Sequence, residues 1–226
     1  MILQRLRHNA ARKRYARHPY REPSLDALLE SSLPHSNQHW SAQSWLALDL
    51  ETTGLEPLHG YIVSMGWVAI ERGSIKLDTA RHLLIDSRNL VGNSATIHQI
   101  RDTDLEHGVE LGSALLALAQ ALINRIPVVH HRPLDEGFLR VAYQEQFGFP
   151  WILPMADTLA LERRRLSRRQ EGIRKGALRL TECRRRYNLP DYPVHNALTD
   201  AISCAELFMA WARHFGGRGP KVGDCL

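Results

Sequence analysis

The sequence predicts an α/β domain with a mixed central β-sheet, and three observations lead there. Short apolar runs alternate with stretches of helical spacing along most of the 226 residues. Two β-patterns, residues 61–70 and 75–85, are separated by little more than Arg72-Gly73-Ser74, a link that implies an antiparallel hairpin. Further along, strand-like runs alternate with helices, as parallel strands require.

The elements follow in order. Residues 1–40 form a basic N-terminal extension and linker, with seven Arg or Lys between Arg5 and Arg21 and no acidic residue among them. This stretch is either a solvated leader or an arm for a phosphate backbone. A short helix is expected at Leu25, Leu28 and Leu29, with Ser24 as N-cap, and Pro34 to Asn37 reads as linker. The main domain is expected over 41–216. It opens with the buried strand Trp45–Leu50, closed by Thr52-Thr53-Gly54. After the hairpin come a helix at 111–123, a strand at 126–130, a helix at 134–147 and a short strand at 151–153. The last long helix spans 196–215, and 217–226 is a C-terminal tail.

A hydrophobic fraction of 44% supports a sizeable core, and the net charge of +5 favours a polyanionic partner. Cys183, Cys204 and Cys225 are too few and too scattered for a disulfide framework or a zinc site. The N-terminal apolar run is too short for a signal peptide, and no segment has the length of a membrane span. A cytoplasmic protein without membrane contact is expected.

Asp49 and Glu51 stand two apart at the end of a strand, so both carboxylates project from one side. Two anions held that close call for a cation, and an all-oxygen pair suits Mg²⁺ or Mn²⁺. Asp135 falls in the first turn of a helix, where acids also complement the helix dipole. Asn196 is a good N-cap, which leaves His195 just outside the last helix and Asp200 on its second turn. A histidine there can accept a proton near neutral pH.

Taken together, these pieces resemble the three motifs of the DnaQ-like, DEDDh 3′–5′ exonucleases. That group includes the epsilon proofreading subunit of bacterial DNA polymerase III, exonuclease X and oligoribonuclease. The motifs read DLETTG from Asp49 to Gly54, HHRPLD from His130 to Asp135 and HNALTD from His195 to Asp200. His98 resembles the Ile-His segment between the first two motifs, and residues 1–40 lie outside the resemblance.

The resemblance implies a ribonuclease H-like fold and a two-metal site. By analogy, Asp49, Glu51 and Asp200 hold one Mg²⁺ or Mn²⁺, and Asp49 with Asp135 supports a second. Ions roughly 4 Å apart can activate water and stabilise the leaving 3′-oxygen. His195 becomes the general base and a nucleoside 5′-monophosphate the product. Thr52, Thr53 and Leu55 match the stretch that lies against the terminal nucleotide, with His98 and His131 as further substrate contacts. Three departures bear on the fit of the terminal base. His131 stands where relatives carry Asn, Leu134 where they carry an aromatic, and Ser64 where many carry Glu.

The segment Arg163 to Arg186 holds eleven Arg or Lys against Glu171 and Glu182. It reads as two helices joined by a mobile loop, either a solvated face or a phosphate-tracking surface beside the cleft. Single-stranded DNA 3′ ends are the expected substrate, with a DNA polymerase subunit as an alternative setting to a free-standing enzyme. The competing readings are an exoribonuclease or oligoribonuclease-like enzyme, and a polymerase-associated module with a vestigial site.

Overall fold

The computed structural model describes residues 2–18, 21–31, 34–86, 108–151, 153–168 and 172–226. Its centre is a five-stranded sheet in the order β3-β2-β1-β4-β5. Strands β1 (Ser44–Thr52), β2 (Ile62–Glu71) and β3 (Ser74–Leu84) pair antiparallel, while β4 (Arg125–Val129) joins β1 in parallel and β5 (Ala156–Asp157) joins β4 in parallel. The mixed sheet predicted from the early hairpin and later alternation is therefore present. Arg72 and Gly73 turn the hairpin with φ of 52° and 70°. Left-handed backbone at both central positions matches the twist of the flanking strands.

Helices cover both faces. On one side lie α1 (Ile2–Tyr15), α2 (Pro23–Glu30), α3 (Leu111–Leu122) and α4 (Arg132–Phe147). They bury Leu25, Leu29, Leu115, Leu118 and Leu139 against Leu46, Leu48 and Leu50 of β1. On the other lie α5 (Thr158–Ser167), α6 (Leu180–Arg185), α7 (Ala197–Arg213) and the short α8 (Val222–Cys225). Here Leu161, Cys183, Leu207, Phe208 and Val222 meet Trp45 and Ala47 of β1. A strand buried on both faces needs a continuous apolar run, which is why Trp45–Leu48 does not alternate.

Two expectations need correction. The short strand predicted at 151–153 lies at Ala156–Asp157 instead. Pro154 lacks an N–H and restricts the residue before it, so ladder pairing begins only beyond it. Trp151 and Leu153 are nonetheless buried in the core. The α2 helix is capped at Glu22 with Pro23 leading its first turn, so Ser24 lies inside the helix. Proline's fixed φ and missing N–H suit the first helical position, and this outweighs the capping preference of serine.

The linker stretch Pro34–Asn37 meets the C-terminal residues just before β1. The Gly223 N–H donates to the Ser36 carbonyl (2.9 Å), Val222 N–H to Gln38 (2.8 Å) and Trp40 N–H to Pro220 (3.1 Å). The C-terminal residues thus clasp the entry to β1. Among the described residues, no helix is long and apolar enough to cross a membrane.

Candidate active site

Side-chain alternation decides where the acids go. Even-numbered residues of β1 face α3 and α4, whereas Trp45 and Ala47 face α7. Asp49 and Glu51 continue the odd series, so both carboxylates emerge at the C-terminal end of β1 on the α7 side. Glu51 is buried, and the β1–β2 register shifts immediately after it.

The third carboxylate arrives on α7. Asn196 caps this helix by accepting from the Thr199 N–H (3.0 Å), as its sequence predicts. His195 sits one residue outside, exposed, with φ of 67°. Its backbone N–H donates to Oδ2 of Asp200 (2.9 Å), which ties the loop to the carboxylate on the second turn. The close seating of α7 depends on Gly66, which pairs with Asp49 across the sheet. A Cβ at this position would stand 2.2 Å from the Ala197 carbonyl carbon and the Leu198 nitrogen. Only glycine lets the helix start so near the strand end. Asp49, Glu51 and Asp200 consequently offer ligand atoms within 4.8 Å of one another.

Asp135 lies beside this trio but outside that group, buried in the first turn of α4. Its carboxylate accepts the Leu50 backbone N–H. It also faces Asp157, whose role the sequence disclosed only in part. Oδ1 of Asp157 caps α5 through the Leu159 and Ala160 N–H groups (3.0 and 3.3 Å), which an Asp-Thr before a helical run could have suggested. The same oxygen accepts the His131 N–H (3.2 Å), a cross-link between the starts of two helices that no local pattern encodes.

Charge accumulates accordingly. Burial, followed by Asp135, Asp200 and Glu51, holds the Asp49 carboxyl well above the usual carboxylate range. Burial and Asp200 push Glu51 up to about 7, and burial and Asp157 push Asp135 up to about 8. Asp200 is also raised by burial, an effect opposed by its bonds from the backbone and by His195. Acids that resist joint ionisation gain most from a cation among them, so this all-oxygen donor set fits a hard divalent ion.

The expected substrate residues are distributed around the centre. Thr52 is buried with its hydroxyl on the Gly54 carbonyl, and Thr53 accepts the Tyr61 N–H, so both brace the turn after β1. Leu55 and Leu58, by contrast, are 78% and 79% exposed. His131 is exposed on the opposite rim with φ of 115°. His98 lies outside the described residues. The Ser64 hydroxyl, paired across the sheet with Glu51, is buried with no hydrogen-bond partner among the described residues.

Comparison with known proteins follows the same lines. A family profile described as Exonuclease (RNase_T) matches residues 46–208. The PolC-type DNA polymerase III of Thermotoga petrophila is 31% identical over 166 residues, 74% of this chain. The chain spans only 12% of that polymerase's length. Among solved structures, cell-death related nuclease 4 (CRN-4) superposes with a TM-score of 0.67 at 15% identity, covering 81% of this chain and 68% of that one. E. coli exonuclease I in complex with a 5cy-dT13 oligonucleotide gives 0.62 at 12% identity, covering 76% and 41%. At such identities these two speak for the fold, a ribonuclease H-like mixed sheet flanked by helices. With the family profile spanning both strand and helix carriers of the acidic cluster, the chain belongs to the DnaQ-like exonuclease family.

Proposed function

We propose that this protein is a 3′–5′ exonuclease that hydrolyses single-stranded DNA ends with divalent metal ions and releases nucleoside 5′-monophosphates. The observation that carries the reading is the convergence of Asp49, Glu51 and Asp200 at one sheet pole. Asp49, Glu51 and Asp200 would hold one Mg²⁺ or Mn²⁺, and Asp135 with Asp49 would support a second. Bound there, the ions supply Lewis acidity toward water and offset the charge that develops at phosphorus.

The remaining work falls to the chain. His195 takes the proton of the attacking water, and its N–H bond to Asp200 keeps the imidazole beside the acids. Attack at phosphorus breaks the bond to the 3′-oxygen of the penultimate nucleotide, leaving a shortened strand. The exposed Leu55, on the turn braced by Thr52 and Thr53, offers an apolar surface to the terminal nucleotide. His131 serves the opposite rim, and His98 is a further substrate contact. In this reading residues 41–216 form the catalytic domain, flanked in sequence by the basic extension 1–40 and the tail 217–226. The oligonucleotide bound by the exonuclease I neighbour and the polymerase identity of the sequence relatives support a DNA substrate.

The test is digestion of 5′-labelled single-stranded DNA with Mg²⁺ or Mn²⁺. Stepwise loss from the 3′ end is expected. Asp49→Ala should abolish it, and His195→Ala should lower turnover by roughly 10²–10⁴-fold with Mn²⁺ affinity nearly retained. Equal slow decay by wild type and Asp49→Ala defeats the proposal. Much faster loss of RNA of the same sequence would reassign the substrate.

A further inference from the structure

Among the described cations of residues 163–186, some are held by partners and others are not. Several are internal braces. Arg184 is buried and donates to the Ser203 and Pro190 carbonyls and to Glu206. Arg186 reaches the buried Glu162, which also accepts the Tyr187 hydroxyl. Arg185 and Arg174 are exposed but paired at the surface, Arg185 with Glu182 and Asp191 and Arg174 with Glu182. Lys175 and Arg179 differ: both are exposed, and neither has a side-chain partner among the described residues.

These two cations are presented on a fixed frame. His130 donates from Nε2 to the Leu178 carbonyl (2.9 Å), and Arg186 donates to the Ala177 carbonyl (2.8 Å). The Ala177 side chain is itself buried. His130 directly precedes His131, so the loop is pinned to the end of β4, one turn of α4 from Asp135. Between the loop and the start of α4 lies a cavity of about 500 Å³, lined by His131, Leu159, Ile173, Arg174, Lys175 and Arg179 among others. Among the described residues, no carboxylate lines it. A second cavity of about 420 Å³ shares Ile173 and Arg174 and continues along α6.

We infer that this cavity holds the phosphodiester backbone of the single strand just upstream of the scissile end, with Lys175 and Arg179 binding its phosphates. The inference rests on the exonuclease reading. Charge complementarity identifies the occupant: cations with no partner or lining acid among the described residues attract a polyanion, and the adjacent acidic pole would repel it elsewhere. Leu159 and Ile173 give sugars an apolar floor. No Phe, Tyr or Trp stands among the described lining residues to stack a base. Recognition is therefore of the backbone, without sequence preference.

The experiment measures fluorescence-anisotropy binding of dT12 and rU12 at 25–200 mM NaCl, alongside hydrolysis of dT12 with Mn²⁺. Lys175→Gln/Arg179→Gln should weaken dT12 binding about 10-fold at low salt. It should also flatten the log–log salt dependence by about 1.4, since each phosphate no longer neutralised on a single strand removes about 0.7 from the slope. The charge-conserving Lys175→Arg/Arg179→Lys pair should restore most of both. An unchanged slope in the Gln variant, or equal loss in the charge-conserving pair, overturns the site. Preference for rU12 of more than 10-fold overturns DNA as the occupant. Failure of the wild type to hydrolyse dT12 counts against the exonuclease reading, while the binding data still judge the site.

Discussion

Each acid at the pole is held in a form that resists ionisation, and this links the site to the stability of the fold. Asp135 titrates at about 8 and Glu51 at about 7, both above the unfolded range near 4. Between those values the unfolded chain binds fewer protons than the folded one, so stability falls as pH rises from about 4 to about 8. Asp135→Asn removes part of that cost. The metal-free variant should melt at least about 3 °C above wild type at pH 8.5 and close to it at pH 3.5, below the range where the carboxyl ionises in the unfolded chain, given about 2–4 °C per kcal/mol for a chain of this size. Mn²⁺ should raise the melting temperature of wild type most at the higher pH, because binding requires deprotonated ligands. A variant gain that is equal at both pH values would contradict this account.

Among the elements, the seating of α7 on the sheet matters most. Asn196 announces the helix start in the sequence, but its approach to β1 is set by Gly66 on a different strand. Gly66→Ala should destabilise the fold by about 1–3 kcal/mol through overpacking and displace Asp200 from Asp49 and Glu51. Gly172→Ala, which meets nothing within 4 Å, should alter stability by less than about 0.5 kcal/mol. Thermal melts with Mn²⁺-dependent turnover would compare them, and a Gly66→Ala enzyme of wild-type stability and activity would refute the packing argument. Strand and helix positions were largely legible because their periodicity is local. Asp49 and Glu51 were legible as a pair for the same reason. Gly66 and the second bond of Asp157 were not, since each acts on a segment distant in sequence.

For the molecule as a whole, the question is where its basic surface works. The basic helix α1 packs by Tyr15 on Phe149 (centroids 5.0 Å apart), just beyond the C-terminal end of α4. Asp135 is at the other end of that 16-residue helix, about 24 Å long at 1.5 Å per residue. Arg12, Lys13, Arg14 and Arg17 are exposed there. Changing all four to Gln should alter dT12 affinity by less than about twofold, whereas Tyr15→Ala should cost about 2–4 kcal/mol of stability by emptying a core position. A large salt-dependent loss of binding in the Gln variant would assign α1 to the strand path instead.

The sequence by itself determined the α/β class, the hairpin, the helix starting at Asn196 and the set of acids whose spacing resembles a two-metal nuclease. These are properties of residues near one another along the chain, where alternation and capping act over a few positions. Only the tertiary structure decided which arginines brace the interior and which face a cavity. It also decided that the N-terminal helices belong to the core and that a glycine on β2 admits the third carboxylate. Those outcomes depend on partners from distant segments, because a charge is buried, paired or presented only by what the fold brings against it.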